Sequence, residues 1–149
     1  MKTVIKAFSE LDCDTLYDIL ALRSEVFVLG QECVYQDPDY HDKNAIHVLI
    51  YADEQLAAYA RILIDEKKGL NFGRVLTAPQ HRKKGLGRLI VQTVLEYIET
   101  HYPPQPITIS AQHYLQKFYE NFGFIIQGEL YQLEGIPHIT MVRNQYGRK

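Results

Sequence analysis

Gly73-Arg74-Val75-Leu76-Thr77-Ala78-Pro79-Gln80-His81-Arg82-Lys83-Lys84-Gly85-Leu86-Gly87-Arg88 is the stretch that decides the fold. An extended run ends at Pro79, a basic turn carrying Gly85 and Gly87 follows, and an apolar-periodic segment continues as a helix to about His101. Such a turn presents several backbone N–H groups at the positive end of a helix dipole. Glycine lets a ligand approach the main chain closely and permits φ > 0. Arg74, Arg82, Lys83, Lys84 and Arg88 lie within or beside the turn. The guest expected here is a polyanion, a pyrophosphate with an extra phosphate.

Two better-known phosphate loops do not fit. The G-x-x-x-x-G-K-[ST] loop needs wider glycine spacing and a Lys-Ser/Thr pair. The dinucleotide fingerprint G-x-G-x-x-G needs a third glycine where Ile90 stands. A solvated basic turn would account for two glycines alone, but not for Pro79, Arg82 and the later Tyr119 segment taken together.

With 149 residues the chain suits one domain, residues 1–149, with a real core. The formal net charge of −2 makes the basic turn a local feature on a mildly acidic body. That favours a small anionic ligand over nucleic acid. No apolar run reaches the roughly 18 residues of a membrane span, and no signal-peptide pattern opens the sequence. Cys13 and Cys33 form neither a CxxC nor a zinc spacing and read as reduced thiols of a cytoplasmic protein. The histidines show no metal-ligand spacing, so no metal is expected.

The pattern along the chain is β-α-loop-β-β-β-α-β-α-β-β. Strands are expected at 3–8, 46–51, 56–64, 70–77 and 107–110, with a turn over 65–69 between the third and fourth. A first helix, capped by Asp12 or Asp14, runs to about Val28 with Leu16, Ile19, Leu20, Val26 and Phe27 at helical spacing. Arg23 shares that stripe, either as a cation snorkelling at the core edge or as one facing a substrate cavity. Leu115, Phe118, Tyr119 and Phe122 mark a further helix stopped by Gly123. A closing hairpin of 124–133 and 137–142 turns at Glu134-Gly135. The strand at Ile107 should lie parallel to the one ending at Thr77. Ligands of such sheets bind beyond strand C-termini at the crossover, which brings the basic turn near the Tyr119 helix.

The order Arg82-x-x-Gly85-x-Gly87 after Thr77-Ala78-Pro79, with Phe118-Tyr119-Glu120-Asn121-Phe122-Gly123-Phe124, resembles the GCN5-related N-acetyltransferases (GNAT) over essentially the whole chain. Leu22–Val28, Gln31–Tyr35, Tyr59–Leu63, Ala111-Gln112 and Glu134–Met141 resemble the ElaA-like branch of bacterial acetyltransferases. Two positions depart from the pattern: Gly30 stands where the branch usually has Glu, and Gln112 where many members place Asn. The resemblance implies an α/β (α+β) GNAT fold, with a mixed sheet of about six to seven strands flanked by about four helices. It also implies acetyl-CoA as cosubstrate and a small-molecule or peptide amine as acceptor.

On that basis the backbone from Arg82 to Gly87 holds the diphosphate, including Gly85 and Leu86, while Lys83, Lys84 or Arg88 balances its charge. Val75, Leu76 and Thr77 would bond the pantetheine amides and polarise the acetyl carbonyl, with Gln112 as a further donor-site residue. Tyr119 is the expected proton donor to the leaving thiolate, although a tyrosine on an apolar helical stripe is commonly only core. The base is open among Glu32, Asp37, His47 and His138. Arg23, Glu32, Tyr35 and His138 are expected around the acceptor, and the acidic loop from Glu32 to Asp42 would attract a cationic amine. A non-catalytic acyl-CoA sensor on the same fold is the alternative. A nucleic-acid-binding reading of Arg82–Arg88 conflicts with the net charge. Exposed strand edges leave a homodimer open.

Overall fold

A computed structural model describes residues 1–65 and 69–144, so the expected turn over 65–69 lies partly outside the described residues. In chain order the elements are β1 (Lys2–Ala7), α1 (Cys13–Arg23), β2 (Ile46–Ala52), β3 (Gln55–Asp65), β4 (Gly69–Thr77) and α2 (Leu86–His101). They continue with β5 (Ile107–Gln112), α3 (Gln116–Glu120), β6 (Ile125–Ile126), β7 (Tyr131–Leu133) and β8 (Ile136–Arg143).

All eight strands join one sheet in the order β1-β2-β3-β4-β5-β8-β6, with β7 paired to β8. Every pair is antiparallel except β4 and β5. The near-continuous apolar run of β2 and β3 reflects a sheet covered on both faces. Val48, Ile50, Ala58, Ala60 and Ile62 turn to one side, against Leu86, Ile90, Val91, Val94 and Ile98 of α2. Leu49 and Tyr59 turn to the other, against Ile19, Leu22 and Phe27 of the first helical segment. Asp12 caps that segment by accepting the Thr15 N–H at 2.7 Å. After Arg23 the coil widens to a π-helical turn over Ser24–Leu29, which closes with the Gly30 N–H donating to the Glu25 carbonyl at 2.8 Å.

Two counts differ from expectation. Among the described residues the strands number eight because the expected strand over 124–133 is divided: β6 and β7 flank a break containing Gly128 at φ 88°. Three α-helices form among the described residues where about four were expected. The polar stretch from Gly30 to Asn44 holds only a short 3-10 turn over His41–Asn44. Pro38 removes a backbone donor there, and the neighbouring aspartates are held by arginines of other elements.

The feature that opens a site is the parallel pair. Only Leu70 and Ile107, near the start of each strand, are in register. Further along, β4 bulges: Tyr59 faces Leu76 and Arg61 faces Gly73, so Arg74 and Val75 have no opposing residue pair on β3. Arg74 takes a left-handed conformation there, with φ 52°. Past Leu70 and Ile107 the two strands share no further paired residues among the described residues, and both line a cavity.

Candidate active site

Strands β4 and β5 border a cavity of about 650 Å³. Phe72 to Thr77 of β4 and Ile109 to Gln112 of β5 form its two sides. Arg82 and Gly87 also line it, together with Phe118 and Tyr119 of α3. The rest of the lining includes Glu25, Val26 and Phe27 of the π-helical turn, Gln31, Cys33 and Tyr35 of the following loop, and Leu133, Glu134, Ile136 and His138 of the closing hairpin.

The start of α2 has the chemistry an anion requires. Gly85 precedes α2 in a left-handed conformation at φ 76°, which L side chains adopt only with strain, and Lys83 shares that region at φ 66°. The first α2 amide to find an intrahelical carbonyl is that of Leu89, bonded to Gly85 at 3.1 Å, so the amides of Leu86, Gly87 and Arg88 lack one. No side chain caps this terminus and no acidic residue lies in its first turn. Exposed Arg82, Lys83, Lys84 and Arg88 surround it instead. Placing cations around the positive end of a helix is unfavourable until an anion fills it. These residues therefore fit the diphosphate of a coenzyme A thioester. Leu86 is 1% exposed and packs in the core, so it can serve only through its backbone. Lys84 Nζ lies 3.2 Å from His81 Nδ1. Arg74 does not join this group.

Tyr119 is 5% exposed and packs its ring against Phe72, Phe118 and Phe124. Burial, with Tyr114 nearby, pushes its hydroxyl above the ordinary tyrosine value, so it stays protonated at neutral pH. Gln112 and Gln31 face each other across the cavity through a side-chain amide pair, with N···O distances of 3.1 and 3.4 Å. Tyr35 donates its hydroxyl to Asp37 Oδ1 at 2.9 Å, and burial and that carboxylate raise its pKa.

Arg23, expected at the acceptor, belongs elsewhere. It is 0% exposed, does not line the cavity, and bonds Asp37 at 2.7 Å and Asp42 at 2.6 Å. It does not snorkel, since no part of it reaches solvent. Glu32 is exposed at φ 50° and lies outside the cavity lining. The aspartates of the acidic loop are taken up by ion pairs, while Glu32 stays exposed. Arg61 binds Asp39 at 2.6 Å and Asp42 at 2.9 Å, and Arg74 sits 2.8 Å from Asp37 as an ion pair without an aligned hydrogen bond from Nε. Three aspartates meet three arginines, and the charges cancel. Burial raises the pKa of Asp39 and Asp42, but the arginines outweigh it and hold both below the usual carboxylate range.

A profile for the acetyltransferase (GNAT) domain matches residues 17–144. Protein ElaA of Escherichia coli strain K12 is 41% identical over 139 residues, covering 91% of each chain. The chain belongs to the GNAT acetyltransferase family. Its fold superposes on the crystal structure of E. coli ElaA with a TM-score of 0.90 at 37% identity, covering 96% of this chain and 99% of that one. An acyl-CoA N-acyltransferase from Pseudomonas aeruginosa gives a TM-score of 0.89 at 34% identity over the same shares.

Several residues around this GNAT site escaped sequence reasoning. Glu25, Gln31, Cys33 and Glu134 line it, and Cys33 Sγ donates to the Glu134 carbonyl at 3.0 Å, tying the loop to the hairpin turn. Arg61 and Arg74 anchor the loop from β3 and β4. A readable signal existed: an arginine inside the apolar run Tyr59–Leu63 needs buried carboxylates, and Asp37, Asp39 and Asp42 were the nearby supply.

Proposed function

We propose that this chain transfers an acetyl group from acetyl-CoA to a primary amine of a small molecule or peptide by direct attack, within a single cytoplasmic domain. One observation carries the reading. Arg82 and Gly87, at the uncapped, cation-ringed start of α2, line the same cavity as the bulged β4 strand and Tyr119.

The cosubstrate supplies an acyl group activated as a thioester. The amides from Arg82 to Arg88 hold its diphosphate, and Arg82, Lys83, Lys84 and Arg88 balance the charge. The unpaired backbone at the bulge, Arg74 and Val75, with Leu76 and Thr77 beyond it, bonds the pantetheine amides and donates to the carbonyl oxygen as charge grows there. Tyr119 gives its proton to the departing sulfur. A free thiol of this type titrates near about 8.5, below tyrosine. The same desolvation that raises Tyr119 also disfavours a thiolate, which narrows that difference. Gln112 leaves Gln31 to hold the donor arm or the acceptor.

Tyr119→Phe keeps the ring packing and removes only the hydroxyl. In a free-thiol release assay with acetyl-CoA and a panel of amines, turnover should fall by about 10²-fold or more, while the thermal shift on donor binding is unchanged. Wild-type turnover in the variant would remove the acid role. Donor binding with no turnover across the panel in the wild type would instead favour the acyl-CoA sensor.

A further inference from the structure

We infer that His138 is the base that takes the proton from the acceptor amine, through Nε2. The inference rests on the acyl-transfer reading above and names the group that reading lacks.

His138 is 8% exposed and lines the cavity. On β8 it stands opposite Gln112 of β5 and Tyr131 of β7. Its ring stacks on Tyr131, with centroids 6.0 Å apart and planes 30° apart. Nδ1 lies 2.7 Å from the Ile136 carbonyl oxygen. A carbonyl can only accept, so Nδ1 must carry the hydrogen. In the neutral ring Nε2 is then a bare lone pair, and among the described residues it has no hydrogen-bond partner. A backbone bond thus holds the ring in the tautomer a base requires.

The other candidates are committed or remote. His47 donates from Nε2 to the Asp42 carbonyl at 2.9 Å, accepts from the Tyr59 hydroxyl at 2.6 Å, and does not line the cavity. His81 is bonded at both nitrogens, to Gln55 and Lys84. Asp37 is bound by Arg23 and Arg74. Glu32 is outside the lining, and exposed Glu25 and Glu134 offer carboxylates, which are intrinsically weaker bases than imidazole.

The step balances. As the nitrogen–carbon bond forms and the carbon–sulfur bond breaks, Nε2 takes the N–H proton and the electron pair leaves on sulfur. Sulfur takes the Tyr119 proton. Imidazolium and tyrosinate are reset by passage of one proton through water, leaving an amide and a thiol.

Two measurements on the full chain test this. Nitrogen-15 NMR of the labelled protein, with the signal assigned by its loss in His138→Gln, should show hydrogen on Nδ1 and none on Nε2 in the neutral ring. Hydrogen on Nε2 would overturn the inference. In the thiol-release assay, His138→Gln should lower kcat/KM by about 10²-fold without changing the thermal shift on donor binding. Added imidazole should restore part of the rate of His138→Ala. A His138→Gln enzyme at the wild-type rate overturns the base alone, whereas a wild type inactive across the amine panel overturns the transfer reading as well.

Discussion

Glycine at two positions decides what the backbone can do. Gly85 sits at φ 76° with no heavy atom within 4 Å of where a Cβ would stand, so its constraint is conformational and not steric. Gly85→Val should cost roughly 1–3 kcal/mol of backbone strain and reshape the amides proposed to hold the diphosphate. The expected outcome is a folded protein by circular dichroism whose melting temperature no longer rises with acetyl-CoA; a retained shift would contradict the anion assignment. At Gly30 the constraint is steric: a Cβ would lie 2.7 Å from the Val26 carbonyl oxygen, where the π-helical turn closes. The turn adopted here therefore depends on the glycine that stands where the ElaA-like branch usually has Glu. Both glycines were visible in the sequence, but only the coordinates separate the two reasons for them.

The element that most departs from local expectation is the segment between the π-helical turn and β2. It carries little regular structure and is held by ion pairs from three other elements: Arg23 at the end of α1, Arg61 on β3 and Arg74 on the β4 bulge. Removing one partner of a buried pair leaves an uncompensated charge, which typically costs about 3–5 kcal/mol. Arg23→Met should lose stability of that order in urea unfolding, since Asp37 and Asp42 would keep their buried carboxylates with one cation fewer each. The α2 helix, by contrast, was legible from its apolar spacing because its buried stripe packs on a single sheet face. The closing hairpin was legible at its turn: Glu134 and Gly135 take φ 52° and 75°, the paired left-handed residues of a tight hairpin. The break between β6 and β7 was not: Gly128 marks a weak point inside the run, but a lone glycine does not say whether strand pairing bends or stops there.

Across the whole molecule the buried polar groups set how stability depends on pH. His47 lies under the anchored loop beside Asp42, Arg23, Arg61 and Tyr59. Burial lowers its pKa, with the two arginines adding to the effect against the opposing pull of Asp42. The unfolded chain then takes up a proton, near the ordinary value of about 6.5, before the folded chain does. Stability from this group is full above that value and declines as pH falls towards the depressed folded pKa. Melting temperatures measured from pH 7.5 down to 5 should show this decline, and His47→Gln should flatten it. Asp39 and Asp42 add a second, more acidic window: their contribution persists down to about 3.9, the ordinary aspartate value, and is lost below it. The sequence alone determined the glycine-bearing basic turn before α2, the alternation of strands and helices, the parallel crossover and the family resemblance, because periodicity, glycine placement and capping act over a few residues. Only the tertiary structure decided that the aspartates of the acidic loop are ion-paired, that Arg23 is a structural anchor, that β4 bulges opposite β3, and that the His138 ring is held with Nε2 bare. Those outcomes depend on which distant groups meet once water is excluded, and no local pattern carries that information.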